Sequence, residues 1–147
     1  MHSRKIFSPE EANELVPALT YEFTHIGRLR GLISEHLDAL SEGGVMLDLE
    51  RPLIGQPCPE PLRPTLFRLV QMVKEIQNSV TRMNNMGCLV KDIELGLIDF
   101  HSSVNGEAAF LCWQFGEPAV AWYHPLGEGF SARRPLSAEA LPEVVYN

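Results

Sequence analysis

At Gly87 the spacing of apolar residues changes from a helical period to an extended one, and no other feature constrains the fold as strongly. Upstream, Ala12, Leu19, Ile26, Ile33 and Leu40 recur at heptad spacing, with Val16, Phe23 and Leu37 on the same side. Such a stripe marks one face of a helix that packs against another element. Leu62, Leu66, Leu69, Val73, Ile76, Val80 and Met83 step by four and three, forming a second seam. Downstream of Gly87 the apolar residues alternate, as they do in strands with two different faces.

The helical part has clear boundaries. Ser8 is an N-cap candidate, Pro9 suits the first helical position, and Glu11 completes a capping box. The pattern predicts a helix over about 8–42, kinked at Pro17, where the ring removes a donor and crowds the preceding turn. Gly43 and Gly44 end it. Pro52, Pro57, Pro59 and Pro61 then mark 45–61 as a linker with little regular structure. A second helix over about 64–86 starts near Pro64 and stops at Gly87. Two seams of similar length predict an antiparallel helical hairpin, which could also pair with a second copy as the four-helix core of a homodimer.

In the extended part, Asn105-Gly106 suits a type I′ hairpin turn. Centring the turn there pairs Asp99 with Cys112, Phe100 with Leu111, Ile98 with Trp113 and His101 with Phe110. Reading FGEP (115–118) as a type II′ turn with Gly116 first places Leu111 opposite Trp122. Closing the first hairpin around Leu95-Gly96 places Asp92 opposite Asp99. The result is a four-stranded antiparallel β-meander over about 88–124. Its inner face carries Ile93, Ile98, Phe100, Leu111, Trp113, Val120 and Trp122 and lies on the hairpin. Its outer face carries Val90, Asp92, Leu97, Asp99, His101, Phe110, Cys112, Ala121 and Tyr123. That face is too apolar for water alone, so a second subunit, another segment or a ligand is expected to cover part of it. The fold class is therefore α+β: a long kinked antiparallel helical hairpin packed on one face of the meander, as a single domain over 1–147 with a C-terminal tail at 137–147.

Charge narrows the function. The chain carries −7 overall, and no Lys or Arg occurs between Asp92 and Ala132, where six carboxylates fall. Such a surface repels phosphate backbones, so nucleic acid is not expected as a partner; a cation or a basic protein fits better. No run of 18 apolar residues suggests a membrane span, and the N-terminal MHSRKIFSPEEAN lacks a signal peptide's apolar core. Cys58, Cys88 and Cys112 are odd in number and lack metal-motif spacing, which reads as reduced thiols in a cytoplasmic protein.

The candidate chemistry gathers in KDIELGLIDFH (91–101). If Asp92 faces Asp99, two like charges lie about 5 Å apart. Open solvent, a shared proton or a bound cation could relieve them. His101 shares that face, completing an Asp92, Asp99, His101 set of two oxygens and a nitrogen that suits a divalent metal. Lys91 alternates to the other face. Glu117 reads as a turn residue and His124 as a strand-end histidine. Arg133 and Arg134 could pair with Asp92, Asp99 or Glu117. No phosphate loop, nucleophile elbow, CxxC or HExxH occurs.

The segments FSPEEANELVP (7–17), GCLVKDIELGLIDF (87–100), LCWQFGE (111–117), WYH (122–124) and GFSARRPL (129–136) resemble the bacterial family grouped as domain of unknown function 2203. The resemblance spans most of the chain outside the 45–61 linker and the last eleven residues. It implies no established activity. It places the family's polar positions on Lys91, Asp92, Asp99, Glu117, His124 and Arg133. His101 departs from the pattern, since a proline usually follows the Asp-Phe pair, which weakens it as a shared ligand.

Two functions follow as expectations. One is a binding or regulatory module acting as a homodimer, with a protein partner also in view. The other is a metal-dependent or acid/base enzyme centred on Asp92, Asp99, Glu117 and His124. No catalytic residue is assigned, and a divalent metal ion is the only cofactor the pattern suggests.

Overall fold

The computed structural model describes residues 5–136, so the tail expected at 137–147 lies outside the described residues. The chain is α+β and falls into two compact units, one formed by the segment up to Phe23 with that from Thr81 onward, the other by Thr24–Val80.

The first unit begins with helix α1, Pro9–Glu14. Ser8 Oγ accepts from Glu11 N–H, and Glu11 Oε1 accepts from Ser8 N–H, so the expected capping box is present. The helix breaks at Leu15, just before Pro17: Leu15 turns its N–H to Ala12 O, and α2 (Val16–Glu42) follows directly. Pro17 cannot donate to the preceding turn, which weakens the ladder at this point. Asn13 uses its side chain instead, donating to Pro9 O and accepting from Val120 N–H.

The remainder of this unit is an antiparallel sheet of five strands in sequential order. They are β1 (Leu89–Asp92), β2 (Leu97–Val104), β3 (Glu107–Gln114), β4 (Trp122–Pro125) and β5 (Arg134–Pro135). The four-strand expectation therefore gains a short fifth, paired Trp122 to Pro135 and Tyr123 to Arg134. The β2–β3 register is as expected throughout, from Ile98 with Trp113 to His101 with Phe110. Asn105 and Gly106 both take positive φ, 54° and 81°, as a type I′ turn requires.

The next register differs by one residue: Leu111 faces Tyr123 and Cys112 faces Trp122. Gly116, at φ 101°, occupies the second central position of a turn closed by Glu117 N–H to Gln114 O, and the chain wanders on before β4 begins. A slip of one residue exchanges the faces of a strand. Trp122, expected inside, is therefore on the outer face, and Tyr123 is on the inner one. Ile93, also expected inside, lies in an exposed turn.

Ile98, Phe100, Leu111 and Trp113 are fully buried on the inner face. Phe7 meets Phe100 edge-on at 5.1 Å, and Phe23 lies 6.3 Å from Trp113. Burial of this kind contributes roughly 1.5–3 kcal/mol per large side chain. The upper half of β2 extends beyond β1, and residues before α1 cover it: Phe7 N–H donates to His101 O, and Ser102 Oγ donates to Phe7 O.

The second unit holds most of α2 and of α3 (Arg63–Asn85). Leu40, Val45, Leu66 and Leu69 form its buried core, with Ile33, Leu37, Leu62, Val70 and Val73 packed around them. His25 meets Glu75 at 3.0 Å, while Leu40, further along α2, packs with Leu66 and Leu69, further back along α3, so the helices run antiparallel. The 45–61 connection contributes Val45, Leu47, Leu53 and Cys58 to this core. Gln56 holds it in shape by donating to Asp48 O and Pro52 O and accepting from Asp48 N–H. Among the described residues, no helix is long and apolar enough to cross a membrane.

Candidate functional site

Asp99 and Cys112 are cross-strand partners on β2 and β3, so their side chains leave the same face of the sheet. His124 faces Phe110, two residues along β3 from Cys112, and joins them there. All three are buried: Asp99 is 4% exposed, Cys112 1% and His124 2%. Their donor atoms lie within 4.8 Å of one another. The positions are fixed by ladder register rather than by a loop, which makes the arrangement rigid.

His124 is held at both ring nitrogens. Nδ1 lies 3.0 Å from Pro125 O, and Nε2 lies 3.2 Å from each oxygen of Asp99. A carbonyl oxygen can only accept, so Nδ1 carries the hydrogen. In a neutral ring Nε2 then presents a lone pair to a carboxylate. Phe110 lies between two histidines, its ring tilted to both, 4.6 Å from His101 and 5.5 Å from His124. Burial, with the Asp99 charge adding to it, pushes the Cys112 thiol up to about 12. Burial alone raises Cys88 to about 11.

Beside this cluster stands an ion pair. Arg133 Nη2 donates to Glu117 Oε2 at 2.6 Å, while Glu117 Oε1 accepts from Gln114 N–H at 2.7 Å. The guanidinium is stacked between Trp122 and Phe130, 4.7 and 4.5 Å from the ring centres. Its Nε is buried without a hydrogen-bond partner. Over Asp99, Cys112 and His124 lies a cavity of about 170 Å³, walled by Leu97, Phe110, Leu126 and Phe130, with Lys91 and Glu128 also lining it.

The expected site residues are thus divided. Asp99 and His124 come together; Glu117 and Arg133 pair with each other nearby. Asp92 does not face Asp99. It pairs with Leu97 across a bulge, and its Oδ1 accepts Leu95 N–H in the turn, while Leu89 stands opposite Asp99. The Asp92, Asp99, His101 set therefore loses its geometric basis: neither Asp92 nor His101 belongs to the donor cluster. With Leu89 rather than Asp92 opposite Asp99, the register shifts by an odd number of residues, and alternation from Leu89 brings Lys91 to the outer face. Cys112, read as an ordinary reduced thiol, is the residue sequence reasoning passed over. The signal was its place opposite Asp99 in the Asn105-Gly106 register.

Fold and site together define an α+β protein with a buried carboxylate–imidazole–thiol cluster on the outer face of an antiparallel sheet. Residues 5–136 match the family described as "Uncharacterized conserved protein (DUF2203)", and the chain belongs to that family. No curated protein and no solved structure matches it.

Proposed function

We propose that the chain is a binding module and that the cavity over Asp99, Cys112 and His124 receives its ligand. The observation that carries this is a buried polar pair beneath an open space. Asp99 and His124 occupy sheet positions that apolar side chains could fill, and burying such groups brings little net stability. Their placement beneath a cavity supports a role in recognition, with a polar group of the ligand meeting the floor and its apolar part meeting Leu97, Phe110 and Leu126.

Acid/base catalysis is less well supported. His124 has both nitrogens engaged, leaving none to move a substrate proton. The raised thiol of Cys112 is a poor nucleophile at neutral pH.

The module acts as a homodimer in the cytoplasm. Leu32 and Phe67, exposed on α2 and α3, support self-association. The three free cysteines support a reducing compartment. Light scattering that returns a 16.5 kDa species at high micromolar concentration would remove the dimer.

Amide NMR of chelator-treated protein, titrated with small organic fragments, tests the pocket. Shifts should cluster at 97–100, 110–112 and 122–126. Fragments that bind only elsewhere, or nowhere, would overturn the assignment.

A further inference from the structure

We infer that Asp99, Cys112 and His124 coordinate one divalent transition-metal ion of the zinc type, with a fourth coordination position open to the cavity. The inference rests on the proposed ligand pocket and specifies what occupies its floor.

Three observations converge. The first is the donor set. One carboxylate, one thiol and one imidazole supply oxygen, sulfur and nitrogen, a borderline-soft combination that suits Zn²⁺ better than Mg²⁺ or Ca²⁺. As the sulfur–metal bond forms, the thiol proton passes to solvent. Two anionic donors then balance the doubly charged ion, leaving no net charge in a buried site.

The second is the geometry around His124. Its Nδ1–H donates to the Pro125 carbonyl, the outer contact that commonly fixes a metal-binding histidine and leaves Nε2 as the ligand atom. That Nε2 faces both Asp99 oxygens equally at 3.2 Å. A charge-assisted bond from an imidazolium to a carboxylate would be shorter, about 2.7–2.9 Å. Two light ligands each about 2.0–2.1 Å from a tetrahedral zinc sit about 3.3 Å apart. The observed separation therefore fits two ligands of a shared ion better than one proton between them.

The third is the space. Three protein ligands beneath a cavity of about 170 Å³ leave room for water or a small ligand on the metal. This is the arrangement of a site that exchanges ligands, whereas structural zinc sites are closed by four protein donors.

The test uses the full chain, stripped with chelator and titrated with Co²⁺ alone and then Zn²⁺. One Co²⁺ per chain should bind with a thiolate-to-cobalt charge-transfer band, and Zn²⁺ should displace it. The band should disappear in Cys112→Ser and persist in Cys58→Ser. Affinity should fall in Asp99→Asn by more than the 10–100-fold usual for outer-shell changes. Because buried substitutions can unfold the chain, X-ray absorption of wild-type protein with zinc supplies a mutation-free reading. One sulfur at about 2.3 Å with lighter atoms at about 2.0–2.1 Å is expected. A shell without sulfur, a charge-transfer band that survives Cys112→Ser, or no stoichiometric binding would each overturn the metal site. In the last case, fragments still binding at the cavity would leave the pocket standing with an Asp99–His124 ion pair at its floor.

Discussion

Replacing Asp99 and His124 singly and together separates what the pair does for stability from what it does for function. His124→Leu leaves the Asp99 carboxylate, 4% exposed, without its imidazole partner. Stranding a buried charge in this way costs about 3–5 kcal/mol. Asp99→Val leaves a neutral imidazole with one unsatisfied nitrogen, at about 1–3 kcal/mol. If the effects were independent, the double variant would lose about 4–8 kcal/mol, enough to unfold most small domains. It should instead lie within about 1 kcal/mol of wild type, because an apolar pair of similar volume replaces a buried polar one at little net cost. The coupling energy then exceeds about 3 kcal/mol, well above that between unconnected sites. Urea unfolding of all four proteins in chelator, compared at constant m, measures it. A double variant as unstable as the sum of the singles would refute this account of the pair. A stable double variant that no longer shows fragment shifts would place the value of the pair in recognition.

Arg133→Lys should cost about 1–2 kcal/mol in thermal unfolding, since a lysine cannot fill the planar slot between Trp122 and Phe130 while holding Glu117; an unchanged midpoint would contradict it. In native protein at pH 8, a thiol reagent should modify Cys58 quickly and Cys88 and Cys112 slowly. Thiols raised to about 11 and about 12 hold little thiolate there, so three equal rates would count against these environments. Gly106→Ala places a side chain at φ 81° and should cost about 1–2 kcal/mol by chemical denaturation, with a smaller loss arguing that the turn is not of this type. The Glu11 carboxyl is held below its usual 4.5, first by the Ser8 N–H and then by Lys5. Its contribution to helix capping is thus present above that value and lost as acid titrates it; Ser8→Pro, which lacks the donating N–H, should show in carboxyl NMR a Glu11 pKa that rises toward normal, and an unmoved one would contradict the cause.

How far sequence carries into structure depended on turn chemistry. Asn105-Gly106 admits one tight turn, so every pair from Ile98–Trp113 to His101–Phe110 could be placed. Gly116 is compatible with more than one turn, and the chain does not enter β4 directly after it. The choice of a two-residue turn moved β4 by one position, hiding His124 from the face it occupies. At β1 the strand pairs through Leu89 rather than Asp92, an odd shift that turned Lys91 outward and withdrew Asp92, and the bulge that ends it leaves no periodic trace. The helical seams were legible because burial on one side imposes a period. The break at Leu15 was only half legible: Pro17 announces a fault but not the residue that absorbs it. Cys112 went unnoticed for a different reason, since a small apolar thiol resembles a core residue until the strand beside it is known to hold a histidine.

The seal over the upper part of β2 ties Phe7 to His101 and Ser102, across most of the chain. During synthesis the phenylalanine leaves the ribosome before β2, and its place in the sheet exists only after that strand has followed. For that interval its ring has nothing native to rest on, so this closure must come late and slowly, as contacts between distant residues do.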